Sequence, residues 1–221
     1  MIFKDAKNNS KWVEFTEGNK KLKSTKAVKF LIFNLPAIIT CPFRTALCEK
    51  FCYARKAEKQ YKKCLPFRMR NYNRTMGNDF IESVVYTLSI HAQRPSYQSA
   101  KKIIVRIHES GDFYDMGYFE KWVEIAKRMY AICPDMIFTA YTKSPFCIGY
   151  PLPDNFVVRY SIWSDTKAEY IDEVEKHNTP IYTAVEHFTN ETENERCRCE
   201  SCGTCLKCYS NKFNKLLCEI H

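Results

Sequence analysis

Short apolar segments rich in β-branched residues alternate with amphipathic segments from residue 27 onward. This alternation constrains the fold more than any other feature, because strands and helices of these lengths build parallel βαβ units. We therefore predict one α/β domain over residues 27–190 with a mainly parallel sheet. One or two short strands are predicted at 27–40 and single strands at 102–110, 136–144, 155–164 and 180–188. Helices are predicted at 45–64, 79–93, 118–130 and 167–177.

The predicted strands alternate between apolar and polar residues, whereas strands of a parallel sheet that is covered on both faces are apolar throughout. We interpret this pattern as a partial (β/α) barrel with one wet, polar face that holds a polar ligand. In such folds, ligand sites lie at the carboxyl ends of the strands. The polar face comprises Arg106, His108, Ser110, Thr139, Tyr141, Lys143, Arg159, Ser161 and Trp163, with Glu186 near the end of the last strand.

Two segments flank this domain. Residues 1–26 are polar and rich in lysine, and we expect them to form a basic extension that lies on the domain. Residues 191–221 form a cysteine-rich tail, and we expect a short C-terminal helix of this tail to dock on the domain. Four apolar residues at helical spacing predict that helix: Phe213, Leu216, Leu217 and Ile220.

Five of the twelve cysteines lie together in the tail, in the string CRCESCGTCLKCY. The N-terminus lacks the apolar segment of a secretory signal, so we expect a reducing compartment, where clustered thiols indicate metal ligands before disulfides. Repeated C-x2-C spacing occurs at structural zinc sites and at iron–sulfur sites alike. A zinc ion that only fixes the tail is the simpler alternative. We predict one metal site formed by Cys202, Cys205 and Cys208 with Cys197 or Cys199.

A second group of cysteines, Cys41, Cys48 and Cys52, follows the first predicted strand. Cys48 and Cys52 are four residues apart on a predicted helix and would share a face. Cys41 lies in the loop after a strand, where βα folds carry their sites. Three thiolates without an evident fourth ligand would leave one iron of a 4Fe–4S cluster open for a small ligand. The alternative is that Cys48 and Cys52 are core residues and Cys41 is incidental.

Positive charge is concentrated in the first third of the chain. Residues 1–75 contain 18 Lys and Arg against five Asp and Glu, a net charge of +13, whereas the remainder carries −4. This asymmetry favours an anionic ligand or nucleic acid near the N-terminal half, although a solvated lysine-rich surface gives the same count. Aromatic residues interleaved with this charge could stack on bases or pack in the core: Tyr53, Tyr61, Phe67 and Tyr72.

The motifs CPFRTALCEKFCYARKAE, RIHESGDFYDMGYFEKWVEIAK, FTAYTKS and CGTCLKCY occur in this order along the chain. Together they resemble the phage "gene product 88" family over about residues 35–210. This family is poorly characterised, so the resemblance implies no particular reaction.

A more distant resemblance is to radical S-adenosylmethionine (radical SAM) enzymes. These bind a 4Fe–4S cluster through three cysteines after the first strand of a partial barrel, and SAM chelates the open iron. The resemblance implies that the group from Cys41 to Cys52 holds such a cluster, although the spacing is C-x6-C-x3-C rather than C-x3-C-x2-C. It also implies that Phe51 is the aromatic residue before the last ligand and that the loop Ser110–Gly111–Asp112 holds the methionine amine. Alternatively, Asp112 only caps the following helix.

We therefore predict an iron–sulfur protein, with a radical-SAM-like enzyme as the leading interpretation. Its cofactors would be one or two 4Fe–4S clusters and SAM, with zinc as the alternative in the tail. It would need a reductant and a small-molecule or anionic substrate. A nucleic-acid-binding protein stabilised by zinc or iron–sulfur, without catalysis, is the alternative function, and a small electron carrier is a third.

No apolar stretch approaches the length of a membrane span, so we expect no membrane partner and a cytoplasmic location, in the host cell if the protein is phage-encoded. The candidate catalytic residues are Arg106, His108 and Glu109, and the candidate cofactor-binding residues are Phe51, Ser110, Gly111, Asp112, Lys143 and Ser161.

Overall fold

The computed structural model describes residues 11–188, 195–197, 202–210 and 212–219. Its centre is a six-stranded, all-parallel sheet in which the strands lie in chain order, and the sheet curls into a half-barrel. The predicted α/β class and partial barrel are therefore confirmed. The strands are β1 (Val28–Phe33), β2 (Lys102–Ile107), β3 (Met136–Thr142), β4 (Phe156–Ile162), β5 (Ile181–Val185) and β6 (Lys215–Glu219).

Crossover segments connect successive strands, as the parallel order requires. α-Helices lie in each of these segments except the one between β3 and β4, which contains the short 3₁₀ helix Pro145–Cys147. Three of the four predicted helices, those at 79–93, 118–130 and 167–177, are confirmed to within two residues at each end. The helices of the described residues are α1 (Ala46–Lys50), α2 (Tyr53–Gln60), α3 (Cys64–Thr75), α4 (Phe80–Ala92), α5 (Pro95–Gln98), α6 (Met116–Ile132), α7 (Ala168–Lys176) and α8 (Cys202–Cys205).

The single helix predicted at 45–64 is wrong, because the chain breaks there into α1 and α2. Cys52 lies between them in an extended conformation, with φ −62° and ψ 100°. The preceding ring, Phe51, stacks on Trp163 with centroids 6.3 Å apart, and such a tertiary contact can override helix propensity. As a result, Cys48 and Cys52 do not share the face of one helix.

The outer face of the sheet packs against α4 and α6 in the main hydrophobic core. Trp122 of α6 is fully buried, and its ring centroid lies 5.1 Å from that of Phe33 on β1 and 5.7 Å from that of Phe80 on α4. These edge-to-face contacts between large rings make this layer the main apolar contribution to stability.

The inner face of the sheet is covered by chain segments from both ends of the protein. Phe30 of β1 packs edge-to-face on Tyr209 of the tail, with centroids 5.8 Å apart, and Leu22 of the N-terminal segment joins the same cluster. This face carries Arg159 and Thr139, as predicted, but both are fully buried. The expectation of a wet face is therefore wrong, because the tail and the N-terminal segment exclude water from it.

The described part of the tail ends in strand β6, where a C-terminal docking helix was predicted, so that prediction is wrong. β6 pairs in parallel with β5, from Ile181 beside Lys215 to Val185 beside Glu219. An edge strand with unpaired backbone groups is a template for a further strand, and a five-residue apolar segment suits a strand as well as a helix. Ile220, part of the predicted helical stripe, lies outside the described residues.

Candidate functional site

Two loops at the carboxyl edge of the half-barrel, those after β1 and β2, are joined by hydrogen bonds. The Asn34 Oδ1 atom accepts bonds from the backbone N–H of Glu109 at 2.8 Å and of Ser110 at 3.0 Å. The Ser110 hydroxyl donates to the Leu35 carbonyl at 2.8 Å. The expectation that the Ser110–Gly111–Asp112 loop lies beside the first βα loop is confirmed.

Gly111 is the point at which these two loops approach most closely. Its φ is +84°, in the left-handed region, and a Cβ atom there would lie 2.6 Å from Leu35 Cβ and 2.6 Å from Thr40 Oγ1. The next residue, Asp112, donates its N–H to the Thr40 carbonyl at 3.1 Å. Only glycine satisfies both the backbone conformation and the space.

Asp112 connects the β2 loop to the end of β3. One carboxylate oxygen accepts bonds from the Thr142 hydroxyl at 2.6 Å and the Phe113 N–H at 2.8 Å, and the other accepts the Lys143 N–H at 2.9 Å. Burial raises the pKa of Asp112, and these hydrogen bonds oppose that rise. The cap of α6 is Asp115, which accepts the Tyr118 N–H at 2.7 Å, so the alternative that Asp112 caps this helix is wrong.

Three half-buried thiols lie at this edge. Burial raises the pKa of Cys41 to about 12, and negative charge on Asp112, Cys48 and Cys52 contributes to the rise. Burial also raises the pKa of Cys48, which the nearby Lys143 ammonium partly offsets. The three thiols therefore interact electrostatically with one another, although Cys41 lies in the loop after β1, Cys48 on α1 and Cys52 between α1 and α2.

Lys143 and Ser161 lie together at the ends of β3 and β4. The Lys143 Nζ atom donates to the Ser161 hydroxyl at 2.8 Å and to its carbonyl at 3.2 Å, and it lies 5.3 Å from the centroid of the Trp163 ring. Because Phe51 stacks on that ring, this edge brings together three of the predicted cofactor-binding residues. Burial lowers the pKa of Lys143, which is 6% exposed, and negative charge on Cys48 and Asp112 opposes the shift.

His108 does not share the inner face with Arg106, so that part of the predicted polar face is wrong. β2 ends at Ile107, and His108 has a left-handed φ of 64°, which breaks the alternation of side chains. Its ring packs 4.8 Å from that of Phe113 in the outer core, and Nε2 lies 2.8 Å from the Tyr118 hydroxyl. Burial, with the Arg106 charge, lowers the pKa of His108 to about 3.

The other two candidate catalytic residues are also held by neighbours. Arg106 lies on the inner face, with its guanidinium 3.7 Å from the centroid of the Tyr141 ring. The Glu109 carboxylate accepts a hydrogen bond from Asn19 of the N-terminal segment at 2.6 Å. The structure therefore does not bring Arg106, His108 and Glu109 to one point.

Four tail cysteines, Cys197, Cys202, Cys205 and Cys208, line one small pocket. A hydrogen bond with Cys197 lowers the pKa of the Cys208 thiol to about 6, and further contributions come from Tyr141 and the Arg159 charge, against the effect of burial. Cys199 lies outside the described residues. The backbone of Cys197 is fixed to β6 by its N–H, which donates to the Leu217 carbonyl at 2.7 Å.

Comparison with known proteins places the chain in a family. The model of the family described as "Gene product 88" matches residues 12–215. The chain belongs to this family. Two curated members are the Gene 88 proteins of Mycobacterium phages L5 and D29, each 30% identical over 106 residues, or 47% of this chain.

This gene product 88 protein matches less than half of those relatives, since the aligned part covers 43% of the L5 protein and 42% of the D29 protein. No solved structure matches it. Within the described part of the chain, no helix is long and apolar enough to cross a membrane. The family resemblance is thus confirmed, and the more distant resemblance to radical SAM enzymes stays a prediction.

As the side chains are oriented, no group of three or more His, Cys, Asp or Glu residues within the described ranges is arranged to hold a metal ion. Both cysteine groups nevertheless offer the thiolate donors that zinc and iron–sulfur clusters use. Sequence reasoning missed the roles of Asn34 and Thr142, because neither belongs to a recognisable ligand motif.

Proposed function

We propose that this protein is an iron–sulfur protein with radical-SAM-like activity, in which Cys41, Cys48 and Cys52 hold a 4Fe–4S cluster that leaves one iron open to SAM. The strongest support is the position of three interacting thiols at the carboxyl edge of a parallel half-barrel, where such folds carry their sites. Free thiols of this kind persist in a reducing cytoplasm, the proposed location.

Lys143 would balance the charge of the thiolates. Its ammonium is held by Ser161 and lies close enough to Cys48 and Cys41 for their charges to favour its protonated form. Thiolates must be deprotonated to bind metal, so a neighbouring cation lowers the cost of loading the site. When bound and reduced by an external one-electron donor, the cluster would supply the electron for cleavage of SAM.

The β2 loop would position a small ligand beside these thiols. Asp112 Oδ2 accepts one hydrogen bond, from Lys143 N–H, and a carboxylate oxygen can accept a second. An ammonium group, such as that of an amino acid, could use this remaining capacity. Gly111 keeps the loop close enough to the β1 loop for both to contact one ligand.

Metal analysis of anaerobically purified protein tests this proposal. We expect iron and acid-labile sulfide in the wild type, and loss of both in Cys41→Ala, Cys48→Ala and Cys52→Ala. Cys64→Ala and Cys133→Ala are matched controls, since both residues are half-buried thiols outside the group, and they should keep the iron. Wild-type protein without iron would overturn the proposal.

The enzymatic half of the proposal is tested separately. Reduced, iron-loaded wild type should convert SAM to 5′-deoxyadenosine, and the three cysteine variants should not. If the loaded protein neither binds nor cleaves SAM, only an iron–sulfur binding protein remains.

A second candidate function is binding of single-stranded nucleic acid. The observation that favours it is a basic, aromatic surface at the junction of α2 and α3. Tyr61 is 59% exposed there, beside the exposed Lys59, Lys62 and Lys63. Exposed aromatic rings among lysines can stack on bases while the lysines neutralise phosphates.

Tyr61→Ala tests this second candidate, with Tyr130→Ala as the matched control. Tyr130 on α6 is also exposed, at 49%, next to the exposed Lys127 and Arg128. Titration of a fluorescent oligothymidine should give weaker binding for Tyr61→Ala only, with an affinity that falls steeply as salt increases. Equal binding by both variants, or none by the wild type, would exclude this surface.

A further inference from the structure

The tail covers the inner face of the half-barrel through one buried arginine. Arg159 of β4 is fully buried, and its guanidinium donates to the carbonyls of Phe213 at 2.6 Å and Ser210 at 2.8 Å. Longer bonds reach the carbonyls of Cys208 and Lys207. A single side chain thus holds the part of the tail that contains Cys208.

This arginine introduces a positive charge that nothing among the described acidic side chains balances. Its hydrogen-bond acceptors are backbone carbonyls, and the ion pairs of the described residues do not include it. Arg106 lies on the same face, stacked on Tyr141. A buried charge is costly unless an opposite charge is close. An anionic group beside Arg159 would therefore stabilise this face.

The pocket lined by the four cysteines lies beside these two arginines. Cys202 and Cys205 come from α8, Cys208 from the following 3₁₀ turn Lys207–Tyr209, and Cys197 from the segment fixed to β6. The pocket has room for about 10 Å³, which is the space of about one water molecule. It suits a single ion better than a cluster of eight atoms.

We infer that Cys197, Cys202, Cys205 and Cys208 bind one zinc ion, and that this ion fastens the tail over the inner face. Four thiolates around Zn²⁺ form a closed tetrahedral site, and their excess negative charge supplies the anion that Arg159 lacks among the described acidic side chains. The thiols as oriented do not converge on one centre, so binding has to turn them toward the ion. The inference is independent of the proposed cluster at the carboxyl edge.

Metal content and cobalt substitution test the ligand set on the full-length protein. We expect one zinc per chain, and Co²⁺ exchanged into the site should give the visible absorption bands of tetrahedral thiolate coordination. Cys197→Ser, Cys202→Ser, Cys205→Ser and Cys208→Ser should each lose the ion. Cys199→Ser and Cys218→Ser are matched controls in the same tail and should retain it, as should Cys41→Ala.

Each other outcome contradicts the inference. Loss of zinc in Cys199→Ser but not in Cys197→Ser would show that Cys199, not Cys197, is the fourth ligand. Iron and sulfide that persist in Cys41→Ala but vanish in Cys205→Ser would place a cluster, not zinc, in the tail. Wild-type protein without zinc and without the cobalt bands would remove the site altogether, and this measurement does not depend on the folding of any variant.

Hydrogen exchange tests whether the ion fastens the tail. After removal of zinc by a chelator, amides of β6 should exchange at least tenfold faster, while those of β2 and β3 should not change. The same exchange rate in β6 with and without zinc would show that Arg159 and strand pairing hold the tail alone, and would overturn this part of the inference.

Discussion

The two cysteine groups of this protein lie in opposite electrostatic surroundings. At the carboxyl edge, burial and the Asp112 carboxylate raise the pKa of Cys41. In the tail, hydrogen bonding from Cys197 and the charges of two arginines lower the pKa of Cys208. The same residue type is therefore kept protonated in one region and favoured as a thiolate in the other.

This difference teaches what each region contributes to the fold. The carboxyl edge has its own hydrogen-bond network through Asn34, Ser110 and Asp112, and this network joins its loops to one another. The described part of the tail has little regular structure of its own. It is held by hydrogen bonds from Arg159 and by the pairing of β6 with β5. We therefore expect changes in the tail to alter stability most, and changes at the edge to alter ligand binding.

Arg159→Met is expected to have the largest effect and would break the tail region selectively. At least two buried carbonyls would lose their donor, at a cost of about 3 kcal/mol in the free energy of unfolding. Urea denaturation measures the loss, and limited proteolysis should cleave the tail first. Arg70→Met is the control, because Arg70 forms an exposed ion pair with Glu14, and it should unfold like the wild type. Equal stability of the two variants would contradict the role of Arg159.

Gly111→Ala should disturb the carboxyl edge and leave the tail intact. The new Cβ would collide with Leu35 and Thr40, and φ +84° is unfavourable for alanine, which together cost about 2 kcal/mol. Iron content should fall with zinc unchanged. Gly117→Ala is the matched control, since its Cβ would lie at an ordinary 3.4 Å from Asp115 in α6. A Gly111→Ala protein as stable as Gly117→Ala would show that the loops are not closely fitted.

A variant of His108 tests the aromatic core behind the carboxyl edge separately from the edge itself. Its pKa is about 3 in the folded protein and near the ordinary 6.5 in the unfolded chain. Between these values only the unfolded chain binds the proton, so acidification destabilises the fold by about 1.4 kcal/mol per pH unit. Denaturation from pH 7 to pH 4 should show this slope reduced in His108→Gln.

The control for this pH dependence is His177→Gln, at the exposed residue that directly follows α7, which should follow the wild type. If the stability of His108→Gln has the same pH dependence as that of the wild type, burial in the aromatic core does not lower the pKa of His108.

Much of this architecture follows from the sequence because βα alternation is a local signal. The positions of β2, β3 and β4 depend on runs of β-branched and aromatic residues, and the helix of 116–132 on an apolar stripe. The nearness of the two carboxyl-edge loops also follows, because neighbouring parallel strands end at one edge.

The features that the sequence did not predict depend on long-range contacts. β6 is a strand because β5 offers an edge to it, and α1 ends at Lys50 where Phe51 meets Trp163. α3 was not predicted; it contains Pro66 in its first turn, where a helix tolerates proline because no backbone donor is needed. Arg159 was correctly predicted to lie on the inner face of the sheet, but only the structure shows that the tail covers this face and accepts the hydrogen bonds of Arg159.

Thr142→Val should have the smallest effect and tests how rigidly the edge holds Asp112. The Thr142 hydroxyl donates to the buried carboxylate at 2.6 Å and accepts the Ser144 N–H at 3.0 Å. Valine keeps the shape and removes both bonds, so unfolding should cost about 1 kcal/mol less, with zinc content unchanged. Thr142→Ser keeps the hydroxyl and should restore wild-type stability in the same urea titration.

Because Phe113 and Lys143 still donate to Asp112 in Thr142→Val, the iron content of this variant should fall only slightly. Complete loss of iron in Thr142→Val, with Thr142→Ser unaffected, would instead show that this one hydroxyl controls the site and that the edge is less organised than the tail.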